Sequence, residues 1–320
     1  MASVVAACSS RHHNAPRILP PAAEPAQAPS QARRPAGRIV GVGALPEGIA
    51  VAPRSGVAIV AVRDPAELVL VNARSGRVLR RVGIVAPPRH LELAGPAGPV
   101  LVPAETANRL LELSLRTGTV RSITVGVHPH DAAATDGRVF LGDEFGDSVS
   151  VVPAGRAVAR IGGFLQPGGI AAIGGDVAVV DVRADTVTLI DARSLRVIAR
   201  AAAGHGPTHV VAAGTMLFVA DTRGNAILSY AQPRLRLVGR LLLPGTPYGI
   251  AIDRGGRRLW VTLTASNELA ELAVGARSLR PVAAYHTAQQ PNTVAVDPRD
   301  GRVFVADAGA GAVELIDPRR

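Results

Sequence analysis

Pro247-Tyr-Gly-Ile-Ala-Ile-Asp-Arg-Gly-Gly-Arg-Arg-Leu-Trp-Val-Thr-Leu-Thr-Ala-Ser-Asn-Glu-Leu-Ala-Glu-Leu272 holds three short apolar segments, and the turns between them decide the fold. An apolar strand runs through Ile252, Gly255–Gly256 reverses it, a second strand spans Arg258 to Thr262, and a polar connection ending at Asn267 leads into a third. Period-two alternation between such turns marks antiparallel hairpins in a meander. The unit recurs as Gly48-Ile-Ala-Val-Ala-Pro-Arg-Ser-Gly56, Phe218-Val-Ala-Asp-Thr-Arg-Gly-Asn225 and Val294-Ala-Val-Asp-Pro-Arg-Asp-Gly301. A proline precedes each first strand by two or three residues: Pro46, Pro88, Pro129, Pro167, Pro207, Pro247 and Pro291, spaced by 42, 41, 38, 40, 40 and 44 residues. Seven strand-rich repeats of about 40 residues predict an all-β, seven-bladed β-propeller with four-stranded blades.

The outer strands and the chain ends agree with this. Arg77–Gly83 and Leu195–Ala201 carry arginines on one face (Arg77 and Arg81, Arg196 and Arg200), as outermost strands should. The last repeat has strands at Thr293–Val296, Arg302–Ala306 and Ala312–Ile316 and lacks a fourth. Arg38-Ile-Val-Gly-Val-Gly43, just before the first repeat, reads as that missing strand. It closes the ring and removes exposed sheet edges, which otherwise template aggregation. The propeller is therefore expected over 38–320.

Leu217-Phe-Val-Ala-Asp-Thr-Arg-Gly-Asn-Ala-Ile-Leu-Ser229 and Val177-Ala-Val-Val-Asp-Val-Arg-Ala-Asp-Thr-Val-Thr-Leu-Ile-Asp191 resemble the repeat of YVTN-type, YncE-like bacterial surface propellers. The likeness covers 38–320 and its motifs report the fold. Such propellers include binders, metallochaperones, lactonases and lyases, so function has to come from the site.

The apolar fraction of 48% over 320 residues is ample for one core. The formal charge is +10 and every one of the 35 basic residues is arginine, the imprint of a GC-rich genome. An arginine-rich surface favours anionic partners such as envelope phosphates or acidic polysaccharide. Nucleic acid is not expected, because the arginines are dispersed and aromatic stacking residues are scarce. A monomer is expected.

No apolar run is long enough to cross a bilayer. The single cysteine excludes a disulfide framework. It stands in Ser3-Val-Val-Ala-Ala-Cys8, which resembles a bacterial lipobox preceded by a truncated export signal. Residues 1–8 are thus expected to be the end of a leader, with Cys8 lipidated and the protein exported and anchored at the bacterial cell membrane. Residues 9–37, rich in Pro, Ala, Gln, Ser and Arg, are expected to be a disordered, semi-extended tether.

Six of eight histidines, His90, His128, His130, His205, His209 and His286, fall in or beside the connections from one blade to the next, which share one face of a propeller. The connections between second and third strands reach the same face with Glu105, Asp143, Glu144, Asp181, Asp221 and Asp307. Residues following the repeat prolines differ from blade to blade while the scaffold repeats: Glu47, Arg89 and His90, His130 and Asp131, Thr208 and His209, Tyr248, and Asn292. A ring of unlike polar residues at a channel mouth is the expected form of a site for a small ligand, a peptide or an envelope component. The bland alternative is structural. Asp143, Asp181 and Asp221 are followed four residues later by Asp147, Asp185 and Asn225, a spacing that suits turn-holding hydrogen bonds.

Imidazole and carboxylate together suit zinc or a related divalent ion. The candidate ligands are His90, His128, His130, Asp131 and His209, and this reading resembles periplasmic zinc metallochaperones with a propeller fold. Pro129-His-Asp-Ala-Ala-Ala-Thr-Asp-Gly-Arg-Val-Phe-Leu-Gly-Asp-Glu144 is similar to a blade of streptogramin (virginiamycin B) lyases. That resemblance implies His130 as general base and Glu144 as a holder of a divalent ion such as magnesium. The family's second histidine has no counterpart directly after any other repeat proline. His90 and His209 sit one place later, on the opposite strand face if all registers are equal. The expectation is a non-enzymatic, envelope-tethered binding propeller, with a zinc metallochaperone and a metal-dependent lyase or lactonase as alternatives.

Overall fold

A computed structural model describes residues 21–153, 158–275 and 278–318. It contains seven four-stranded antiparallel sheets, and the only helices among the described residues are two 3-10 turns. The first six blades follow chain order, with first strands at Ala44–Ala52, Glu92–Leu93, Pro129–Thr135, Pro167–Ile173, Pro207–Ala213 and Pro247–Ile252. Blade 7 consists of Pro291–Val296, Val303–Asp307, Ala312–Ile316 and the N-terminal strand Arg38–Gly41. The register Arg38↔Leu315 to Gly41↔Ala312 closes the ring as the sequence predicts.

Burial explains the strand sequences. Second and third strands such as Val303–Asp307 and Ala312–Ile316 are buried throughout, because neighbouring blades cover both faces of each sheet. Their sequences therefore read as nearly continuous apolar runs. Outer strands such as Val78–Gly83 and Val197–Ala202 are mostly exposed and carry the arginines.

Six of the seven first strands break register just after the repeat proline, for example between Pro129 and Ala132 and between Pro207 and Val210. The inner strand takes one more step than its partner there, three against two in five blades and two against one in blade 7, which is a β-bulge that re-aims side chains. This bulge lies at the channel mouth in every blade that has it.

Residues 21–37 are not free of the ring, as a tether would be. Ala23 and Ala28 are buried, and the segment hydrogen-bonds to blades 5, 6 and 7 before reaching Gly37, whose N–H donates to Glu314. A segment without a core of its own has docked onto an existing one. Cys8 and residues 9–20 lie outside the described residues.

Candidate functional site

The connection acids divide into two groups. Asp181 accepts hydrogen bonds from the backbone N–H groups of Leu165, Gln166, Arg183 and Ala184, and Asp221 from those of His205, Gly206 and Gly224. Asp143 accepts from the Ser148 and Ser150 hydroxyls. These acids hold loops. The residue four places on adopts left-handed backbone at Asp147, Asp185 and Asn225, with φ of 51°, 53° and 47°. Asp and Asn tolerate that conformation better than other residues with side chains. Asn108 and Asn267 do the same in their blades, and each accepts a backbone N–H from the next blade connection, at His128 and Gln290 respectively.

Glu105 and Glu144 belong to the second group, because they project over the mouth. His130 is brought between them: its Nδ1 lies 3.2 Å from Glu105 Oε1 and 3.4 Å from Glu144 Oε2. All three side chains are buried. The three ligand atoms lie within 4.8 Å of one another, a group that could hold a metal ion. Gln166 donates to Glu144 Oε1 at 2.9 Å and fixes that carboxylate. His128 Nδ1 is 3.3 Å from Glu144 Oε2 without hydrogen-bond geometry, and its ring lies 4.6 Å from Phe145.

A cationic arc faces these acids. Arg89 Nε is 3.7 Å from Glu105 and 3.9 Å from Glu47, while Arg63 bridges Glu47 at 3.3 Å and Glu105 at 3.5 Å. Burial alone would lower the His130 pKa, but its hydrogen bonds to Glu105 and Glu144 outweigh burial and push it up to about 10. Burial would raise Glu144, yet the His130 bond holds it down at about 2, and Glu105 is lowered by the same opposition. The cluster is thus two carboxylates sharing one imidazolium. Glu47 moves the other way, raised by burial in spite of the two arginines.

His90 and His209 join His130 rather than facing away from it. The inner strands of blades 3 and 5 carry the same bulge over the two residues after the proline, which takes both residues out of strict alternation, and in blade 2 the strand begins only at Glu92, after His90. The His90 and His130 rings are 4.8 Å apart, and His90 Nε2 meets His209 Nε2 at 3.2 Å. Burial, followed by the positive charge of His130 and Arg89, holds His209 at about 3. His90 is likewise lowered, by burial first and then by His209 and His130. Both are therefore neutral and share a proton in one hydrogen bond. Tyr248 stacks edge-on against His209 at 4.5 Å.

Asp131, Thr208 and Asn292 have structural partners of their own. Asp131 accepts from Ala132 N and from Ile170 N of the next blade, and burial raises its pKa to about 6. It lines the channel with His90 and His209, in a cavity of about 350 Å³, and does not join the Glu105–His130–Glu144 group. Thr208 shares a hydrogen bond with Thr222 at 2.7 Å, and Asn292 accepts from Gln290 at 3.1 Å. His205 and His286 lie away from the mouth cluster. His205 N–H is held by Asp221, and His286 contacts Arg33 and Glu268. Arg63 carried no signal in the sequence: it is the next-to-last residue of the second strand of its blade, Val57–Asp64, and only blade packing brings it to Glu105.

No protein-family model matches this chain, and no curated protein matches it either. Solved structures do. Kuenenia stuttgartiensis hydrazine synthase has TM-score 0.75 at 16% identity, covering 87% of this chain and 97% of that one. A catalytically inactive histidine-to-alanine variant of virginiamycin B lyase from Staphylococcus aureus, in complex with quinupristin, has TM-score 0.74 at 14% identity over 87% and 97%. A chain of the mitotic checkpoint complex has TM-score 0.76 at 14% identity over 95% and 99%. Neighbours this diverse share the propeller fold and not one function.

Proposed function

We propose that this protein is a binding propeller whose mouth takes a divalent cation on Glu105, His130 and Glu144, and an anionic small ligand or peptide beside it at Arg89. The observation that carries the proposal is the convergence of one imidazole nitrogen and two carboxylates within 4.8 Å, all three residues buried. The donor set fits zinc, which accepts both ligand types, and Glu144 is already oriented by Gln166. In the metal-free state His130 is an imidazolium, so a cation has to displace that proton. Ligand and proton therefore compete. The lipobox-like Cys8 extends the proposal to an envelope-anchored protein, tested by detergent partitioning of the native product against Cys8→Ser.

The test is metal analysis and calorimetric titration of protein purified without a histidine tag, with zinc and magnesium in turn. One equivalent is expected in the wild type, with at least a tenfold loss of affinity in Glu105→Gln and in Glu144→Gln. Affinity is expected to rise with pH between 6 and 9. Unchanged binding in both variants would overturn the site.

A second reading is favoured by the position of His130. When a cation engages Glu105 and Glu144, His130 loses the two partners that keep it protonated and becomes available as a general base. Proton abstraction beside an ester carbonyl is then within its reach, the reaction type implied by the lyase resemblance around Pro129–Glu144. Magnesium-dependent cleavage of a cyclic depsipeptide, lost in His130→Ala, supports the enzyme. Cation binding without cleavage supports the binder, and rapid exchange of a single zinc supports the metallochaperone.

A further inference from the structure

The mouth is roofed by the protein's own chain. Ala22, Ala23 and Glu24 close over Arg89, His130, Glu144, Val182, Thr208, His209 and Tyr248, leaving a cavity of about 10 Å³. A space that small holds about one water. An ion can sit there, but no organic ligand can.

The way this segment is held points to the kind of molecule the face accepts. Arg223 Nη2 donates to the Pro21 carbonyl at 2.9 Å. Ala26 N–H donates to Thr264 Oγ1 at 3.0 Å, and Ala26 C=O accepts from Gln290 Nε2 at 2.8 Å. Ala28 N–H donates to Gln290 Oε1 at 2.7 Å, and Pro29 C=O accepts from Asn267 Nδ2 at 2.9 Å. The Gln290 amide thus acts like a strand edge, pairing with one N–H and one C=O two residues apart. Recognition of this kind reads main chain and is indifferent to most side chains. Two side chains are read: buried Ala23, which leaves no room for a Cβ on Gly206, and Glu24, whose carboxylate meets Arg89 Nη1 at 3.2 Å. Arg89 is the same arginine that faces Glu47 and Glu105 at the site.

We propose that the mouth face is a groove for an extended, Pro/Ala-rich peptide bearing a carboxylate, and that residues 21–29 are a tethered copy of that ligand which plugs the site. This rests on the mouth being the functional face and deepens that reading by naming the ligand class. A tethered segment of this length acts at an effective concentration on the order of millimolar. A free peptide therefore binds weakly until the plug is loosened. The plug is loosened most simply at its charged end, because Glu24 is its only ionic contact with the mouth and its side chain is more than half exposed.

The test uses the full chain in buffer containing a chelator, so that its outcome does not depend on metal. A fluorescent synthetic peptide of residues 19–31 is titrated into the wild type and into Glu24→Lys, whose lysine repels Arg89. The variant is expected to bind the peptide at least tenfold more tightly than the wild type. Adding Gln290→Ala to that variant should remove the gain. Hydrogen exchange on the wild type supplies the second measurement: the Ala26 and Ala28 amides are expected to be protected at least tenfold, with the protection of Ala28, whose acceptor is Gln290 Oε1, lost in Gln290→Ala. Equal, weak peptide binding by wild type and Glu24→Lys, or unprotected Ala26 and Ala28 amides in the wild type, overturns the proposal. Either result leaves the cation site at Glu105, His130 and Glu144 standing or falling on its own titration.

Discussion

His130 and His209 are both buried imidazoles in one mouth, and their neighbours drive them in opposite directions. The reference value for each is 6.5, so His130, raised to about 10, contributes stability that is fully present below pH 6.5 and lost as pH rises through 10. His209, lowered to about 3, contributes stability that is present above pH 6.5 and lost as pH falls toward 3. Thermal midpoints across pH 5 to 10 are expected to show a flatter alkaline limb in His130→Gln and a flatter acid limb in His209→Gln. Imidazole resonances in Glu105→Gln should place His130 below its wild-type value, because one of its two carboxylate partners is gone. Asp181 makes the complementary case of a residue that holds structure. Its removal leaves four backbone N–H groups without their acceptor, so Asp181→Ala should cost about 1–3 kcal/mol in denaturant unfolding.

The inner strands are where the repeat becomes a channel. In six blades a bulge displaces the residues directly after the repeat proline, and glycines there allow adjacent blades to approach closely. A Cβ on Gly169 would lie 2.6 Å from the Thr208 carbonyl oxygen and 2.9 Å from His209 Cα. Both are backbone atoms of the next blade and cannot rotate away. Gly169→Ala is therefore expected to cost about 1–3 kcal/mol, the usual penalty for overpacking. It should also move His209, visible as altered His209 imidazole resonances. A change of less than about 0.5 kcal/mol would mean that the two inner strands separate freely.

The whole ring depends on one short strand contributed by the opposite end of the chain. Arg38–Gly41 covers the edge of Ala312–Ile316, and without it the buried Glu314 loses the Gly37 N–H while blade 7 exposes its third strand. Deleting residues 38–41 should lower the thermal midpoint by several degrees more than deleting residues 9–20, and should promote association through the open edge. Equal midpoints in the two deletions would show that the ring holds without closure. Docking of residues 21–37 ties the N-terminal segment to this closure, since the same chain that completes blade 7 continues across the mouth.

The seven-bladed ring, its strand order and its closing strand were legible in the sequence because each follows from local patterning: alternation, turn residues and the spacing of prolines. The face that gathers the candidate histidines and acids was legible for the same reason, since topology sends every blade connection to one side. The pairing of side chains on that face was not. Glu105 and Glu144 look like the acids Asp143 and Asp181 in sequence, and only packing separates them by turning the two glutamates toward the mouth, Asp143 toward serine hydroxyls and Asp181 toward backbone amides. His90 and His209, placed on the opposite strand face by strict alternation, reach His130 because alternation fails within the bulge that blades 3 and 5 share and because the blade 2 strand starts only after His90. Residues 21–37 read as a spacer because composition reports whether a segment can form its own core, not whether it fits a groove on another. Local pattern is written in the order of the residues, whereas these contacts join blades far apart in the chain, and their geometry exists only once the ring has closed.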